Sequence, residues 1–183
     1  MRKIIASTAA LSAAALTFGL AGPASADLYG IDDPKDSSHG SDLRAVQLKN
    51  GDRRVVVTTY HANLRRNPAS GSGGAVYVDT DRTDKGPEFV FVGGYFEGTD
   101  YSLLRTEGFG HKQWGAPVNG SYRMTVDYAE ETVRMRMSRK ALGRPGKVRI
   151  AVRVSGTRTD GTSNGLVDWL GEPRSFTPWI KKG

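Results

Sequence analysis

The chain has no cysteine among its 183 residues. That absence excludes disulfides, a thiol nucleophile, thiolate metal sites and a lipid-modified N-terminal cysteine. Histidine is scarce: His39, His61 and His111 are the three copies, and they lie far apart in sequence. No H-E-x-x-H, G-x-S-x-G or P-loop pattern occurs. Each histidine has an ordinary placement, in a leader, a strand and a loop. After residue 26 no apolar run approaches the roughly 18 residues a membrane span needs. Helical periodicity is almost missing as well. A chain with no cross-links must rest on its hydrophobic core, and about 150 residues suffice for one.

What is present begins with a targeting signal. Arg2 and Lys3 precede an Ala-rich apolar stretch over 4–21, then Gly22-Pro23, then Ala24-Ser25-Ala26. A positive n-region, an apolar h-region and an A-x-A site make a secretory signal peptide, with cleavage expected after Ala26. Removing Arg2 and Lys3 leaves 24 basic against 19 acidic residues, so the net charge falls from +7 to +5. A mildly basic chain favours acidic partners such as anionic cell-wall polymers without singling out nucleic acid, which is not expected. The C-terminal SFTPWIKKG has no hydrophobic tail or sorting-type motif. Release outside the cell, as a monomer, is the expectation.

Residues 27–41 read as an irregular polar leader, and 42–183 as one domain. LRAVQL (43–48) and VVVTTYHANL (55–64) flank Asn50-Gly51, a pair suited to a type I′ hairpin turn. NPASGSGG (67–74) reads as a flexible loop, and AVYVDT and EFVFVGGYF as strands around an acidic loop. YSLLRTE (101–107) is a further strand, followed by a long loop over 108–120. Period-two alternation is clean over 122–128, 132–138 and 147–154, which predicts half-buried antiparallel strands. SRKALGRPG predicts one short helical turn near 138–143, capped by Ser138. LVDWLGEPRSFTPWI allows one more edge strand. About eight short strands with Gly-rich turns predict an all-β fold, a single antiparallel, jelly-roll-like β-sandwich.

The Asp-rich DDPKDSSHGSDL, the V-x-V hairpin, the VYVDTD strand and the late S-x-x-x-LG-x-P turn together resemble small secreted β-sandwiches of unknown function from high-GC Gram-positive bacteria. More distantly, the order of features over roughly 32–170 is similar to DOMON-like and family-9 carbohydrate-binding sandwiches. The resemblance implies a non-enzymatic sandwich and, by analogy, ligand or sugar binding. No haem-ligand pattern can be matched residue by residue, so no cofactor is carried over.

Three features compete for function. The aromatic loop 93–117 carries Tyr95, Phe96, Tyr101, Phe109 and Trp114, several beside glycines that leave ring faces open to sugars. Trp114 within HKQWG is the best stacking candidate, with Tyr95 and Tyr101 beside it; the competing reading is that these rings plug one end of the sandwich. On the clean strands Arg123, Arg134, Arg136, Lys147, Arg149 and Arg153 all point away from the core. If those strands are neighbours they build one basic face, either a platform for an anionic polymer or a solvated face. Asp79, Asp81 and Asp84 form the third feature. Counted from Asp79, the EF-hand positions 5, 6 and 12 are Thr83, Asp84 and Val90, so the pattern fails. Local ion pairs and turn hydrogen bonds are favoured over a weak calcium site. Asp168 and Glu172 near Trp169 are the candidate carboxylate pair of a small hydrolase. Asn119-Gly120-Ser121 reads as a turn.

The expected function is therefore a secreted, non-catalytic sandwich that binds a polysaccharide or an anionic cell-envelope component. A small hydrolase and a protein-interaction or inhibitor module are the alternatives.

Overall fold

The computed structural model describes residues 28–32, 41–157 and 166–183. The segment 1–26, expected to be a signal peptide, and the leader positions 33–40, His39 included, lie outside the described residues. The chain is an all-β sandwich of two antiparallel sheets. The five-stranded sheet holds, in spatial order, β1 (Leu28–Asp32), β2 (Asp42–Asn50), β3 (Arg54–Ala62), β9 (Thr132–Ser138) and β8 (Tyr122–Asp127). The other sheet runs β11 (Leu166–Trp169), β10 (Lys147–Gly156), β4 (Gly73–Asp79), β5 (Phe89–Gly94), β6 (Tyr101–Thr106) and β7 (Trp114–Pro117). Its seventh strand, β12 (Ile180–Lys181), pairs with β10. No helix among the described residues is long and apolar enough to cross a membrane.

Alternation builds the core. Val46 and Leu48, Val55 and Val57, and Val133, Met135 and Met137 are buried from one sheet. Val76, Val78, Phe89, Phe91, Leu103 and the β10 series Val148, Ile150, Val152 and Val154 meet them from the other. Each such side chain contributes about 1.5–3 kcal/mol of burial.

The two outer faces differ, and this difference positions the site. The outer face of the seven-stranded sheet carries a second apolar cluster. Ala75, Tyr77, Val90 and Ala151 are buried there under Phe109, Trp114, Trp169 and Phe176. β4 and β5 are therefore covered on both sides over much of their length, which explains why they read as continuous apolar runs rather than alternating ones. In the five-stranded sheet the outward positions Gln47, Lys49, Arg54, Arg123, Thr125 and Arg134 are exposed.

Several local expectations are corrected. Five residues of the leader form β1, whose backbone completes the edge of β2. The 43–64 hairpin is present, but neither Asn50 nor Gly51 has a positive φ. Asn50 instead pairs with Val55 inside the ladder, and the turn closes from Gly51 N–H to the Arg54 carbonyl. The buried Asn50 amide donates to the Ile180 carbonyl (2.9 Å) and accepts from Arg139 (2.5 Å), so tertiary bonds override its turn preference. Gly73 and Gly74, assigned to a loop, begin β4 opposite Gly94 and Gly93. A Cβ at position 74 would overlap the Tyr95 hydroxyl, so glycine there makes room for that ring. The single helical turn expected near 138–143 is present as a hydrogen-bonded turn capped by Ser138: Leu142 N–H donates to the Ser138 carbonyl at 3.3 Å, Ala141 N–H donates to Ser138 Oγ at 3.1 Å, and Gly143 and Arg144 then turn left-handed. Single 3-10 turns occur at Pro68–Ser70 and His111–Gln113, inside segments that read as loops.

Candidate functional site

The open face of the five-stranded sheet gathers arginines by register. Alternation against the inward Met135 and Met137 turns Arg134 and Arg136 outward, and alternation against Met124 does the same for Arg123. In the β8–β9 ladder Arg123 then lies directly across from Arg136, and Arg134 across from Thr125. On the other side of β9, Arg136 faces Val56 and Ser138 faces Arg54. Arg54, Arg123 and Arg136 thus line one concavity of about 280 Å³, completed by Ser121, Tyr122 and Ser138. Among the described residues no carboxylate lines it. The ion pairs among the described residues are Arg44–Asp42, Arg66–Glu97, Arg149–Asp79 and Lys182–Asp52, and none involves these three arginines. Like charges directly opposite on a ladder are destabilising, so the Arg123–Arg136 pair is held at a cost that no described counter-charge offsets.

Tyr122 connects this pocket to the open edge of the sandwich. Its ring meets Phe91 edge-on at 5.8 Å and Tyr101 edge-on at 6.2 Å. Tyr101 is 36 % exposed and stacks on Phe91 at 5.8 Å. Gly93 allows this approach, because a Cβ there would come within 2.8 Å of the Met124 side chain and 3.0 Å of Tyr101 Cβ.

The basic face expected as one surface is two. β8 and β9 are neighbours, but β10 belongs to the opposite sheet. Lys147, Arg149 and Arg153 therefore lie on the other side of the sandwich from Arg123, Arg134 and Arg136. Arg149 is committed to structure. Its Nε donates to Asp79 Oδ2 at 2.7 Å, with a second guanidinium nitrogen at 2.5 Å from the same oxygen. Its guanidinium also lies 4.5 Å from the Phe176 ring centre and 4.7 Å from that of Trp179. Arg153 is half-buried between its register partners Ala75 and Trp169.

The aromatic candidates also separate. Tyr95 is fully buried, 5.2 Å from the His61 ring, and burial pushes its phenol far up; it presents no face to a ligand. Trp114 is half-buried, with one face stacked on His111 at 4.2 Å. Its indole N–H lies near the Tyr77 hydroxyl but meets no acceptor at hydrogen-bond geometry. The adjoining concavity, about 460 Å³, mixes Glu88 and Glu107 with Arg105 and Lys112. It sits on a different sheet from the arginine pocket. His61 is a satisfied core histidine, with Thr59 Oγ1 2.7 Å from Nε2 and the Ser41 carbonyl 3.0 Å from Nδ1.

The carboxylates of the acidic loop bond to protein groups. Asp79 is buried against Arg149. Burial pushes its carboxyl up, while the Arg149 hydrogen bond and charge oppose that shift. Asp81 accepts from Thr83 N–H (2.9 Å) and Thr83 Oγ1 (2.7 Å), bonds that hold its carboxyl below the usual range. Asp84 accepts from Lys85 N–H at 2.7 Å. No group of three or more metal-ligating side chains occurs among the described residues. The local ion pairs expected of this loop are not among the ion pairs of the described residues: Asp79 pairs with the distant Arg149, and Asp81 and Asp84 make turn hydrogen bonds. Melting curves in millimolar calcium and in chelator should therefore superimpose. A calcium-dependent rise that Asp81→Asn removes would restore the metal reading. The candidate hydrolytic pair is also separated in role. Asp168 is buried and accepts from Leu43 N–H at 2.9 Å, tying β11 to β2, whereas Glu172 is exposed on a turn. Neither lines either concavity.

Sequence reasoning missed Arg54, Ser121, Tyr122 and Ser138 as site residues. The signal for Arg54 was available, since it shares the outward parity of Val56 and Thr58 on β3. That Ser138 sits beside Arg54 required the β3–β9 register. No protein-family model matches this chain, and no curated protein does.

Proposed function

We propose that this protein is a secreted, non-catalytic binding module for an anionic polysaccharide or cell-envelope polymer, held through the Arg54, Arg123 and Arg136 pocket. The single observation that carries the reading is three outward arginines around one concavity with no described ion-pair partner. The signal pattern of residues 1–26 and the +5 charge after its removal support a role among anionic extracellular polymers. Tyr101, 36 % exposed at the sandwich edge, offers ring area on which a sugar unit can rest.

The test is co-sedimentation with purified cell walls, with walls stripped of their anionic polymer, and with neutral insoluble polysaccharides. Binding should require the anionic polymer and fall steeply between low and high salt, because exposed charges are screened. Arg134→Glu combined with Arg136→Glu should abolish it, by reversing two charges at and beside the pocket. Binding that ignores salt, or survives the double change, would remove the arginine face from the function.

A further inference from the structure

We infer that the arginine pocket takes a tetrahedral phosphate group, as in a phosphodiester-linked polymer, in preference to a planar carboxylate; this rests on the binding function proposed above. Donor supply sets this preference. A carboxylate has two oxygens in one plane, about four lone-pair sites, and one guanidinium fork can satisfy it. Here the lining supplies three guanidiniums from three adjacent strands and the hydroxyls of Ser121 and Ser138. Together they supply more donors than the roughly four lone-pair sites of one carboxylate can accept. A phosphate spreads its oxygens tetrahedrally and can meet such donors together, and arginine is the side chain that pairs with it bidentately.

The charge arrangement points the same way. Arg123 and Arg136 face each other across the β8–β9 ladder, and like-charged cross-strand pairs cost stability. An oxoanion between them turns that repulsion into two attractions. The pocket should therefore show a trade of stability against binding: removing Arg123 relieves the repulsion and removes the ligand together. A merely solvated basic face would show the first effect without the second.

The experiment uses inorganic phosphate, sodium acetate and sodium chloride at matched ionic strength, read by calorimetric titration and by melting temperature. Phosphate should saturate one site and raise the melting temperature, as a ligand bound only to the folded state must. Acetate should do neither. Arg54→Gln, Arg123→Gln and Arg136→Gln should each weaken phosphate by about tenfold or more, with Arg123→Gln melting no lower than the wild type without phosphate. Lys85→Gln, on an exposed loop of the other sheet, should leave phosphate binding unchanged. Phosphate should also displace the protein from cell walls. Wall binding that a carboxylated polymer displaces and phosphate does not would overturn the phosphate assignment while leaving the binding function standing. An absence of both phosphate and wall binding would overturn the two together.

Discussion

Val152→Asp should leave the protein largely unfolded at room temperature. Val152 is fully buried at the centre of β10, paired with Val76 in the ladder and packed between the sheets. Aspartate there loses the valine packing and places a carboxylate where no cation or donor faces it. The cost is on the order of 5 kcal/mol, from lost burial plus an uncompensated polar group, against a total stability of about 5–15 kcal/mol for a domain. Val167→Asp is the control. Val167 is 47 % exposed on β11, so the same change should cost within about 0.5 kcal/mol. Urea unfolding followed by circular dichroism reads both. A Val152→Asp protein with wild-type denaturation would overturn the inward assignment of this strand.

Arg149→Leu should cost about 3–5 kcal/mol, the typical loss when one partner of a buried ion pair is removed and the other stays. Asp79 is the reason. Its side chain has no exposed surface, while the Arg149 side chain is 28 % exposed, so the penalty sits on the stranded carboxylate. The pH dependence follows from the same fact. Asp79 has a folded-state pKa raised by burial, and losing Arg149 raises it further. A raised carboxyl binds its proton more readily in the folded than in the unfolded state, so stability grows as pH falls through the folded value toward the ordinary 3.8. The deficit of Arg149→Leu should thus be largest near neutrality and shrink in acid. Arg149→Leu with Asp79→Leu should recover much of the loss, because replacing both partners of a buried pair by apolar groups is often neutral. Equal deficits at all pH values, or no recovery in the double variant, would show that Arg149 acts through its packing against Phe176 and Trp179 alone.

The fold class was legible because it depends on local pattern. Alternation at Val133, Met135 and Met137, and at Val148, Ile150, Val152 and Val154, separates buried from outward positions whatever the strands pair with. The acidic loop was legible in part, since Asp81 and Asp84 bond to their immediate neighbours. Asp79 was not, because its partner Arg149 lies 70 residues away. Tyr95 and Tyr101 look alike in sequence, each close to glycine or polar residues. One is fully buried against Gly74 and the other is 36 % exposed at the sandwich edge.

The sequence by itself determined an all-β chain without cross-links and the parity of each strand residue. Parity is a property of the extended backbone, in which neighbouring side chains point to opposite faces. Only the tertiary structure decided which sheet each strand joins. That assignment put Arg149 and Arg153 among aromatics on the covered face and brought Arg54, Arg123 and Arg136 together on the open one. The physical reason is that strand order and register are set by long-range pairing and by how two sheets share one core. Those choices leave the local alternation unchanged and so leave no trace in it.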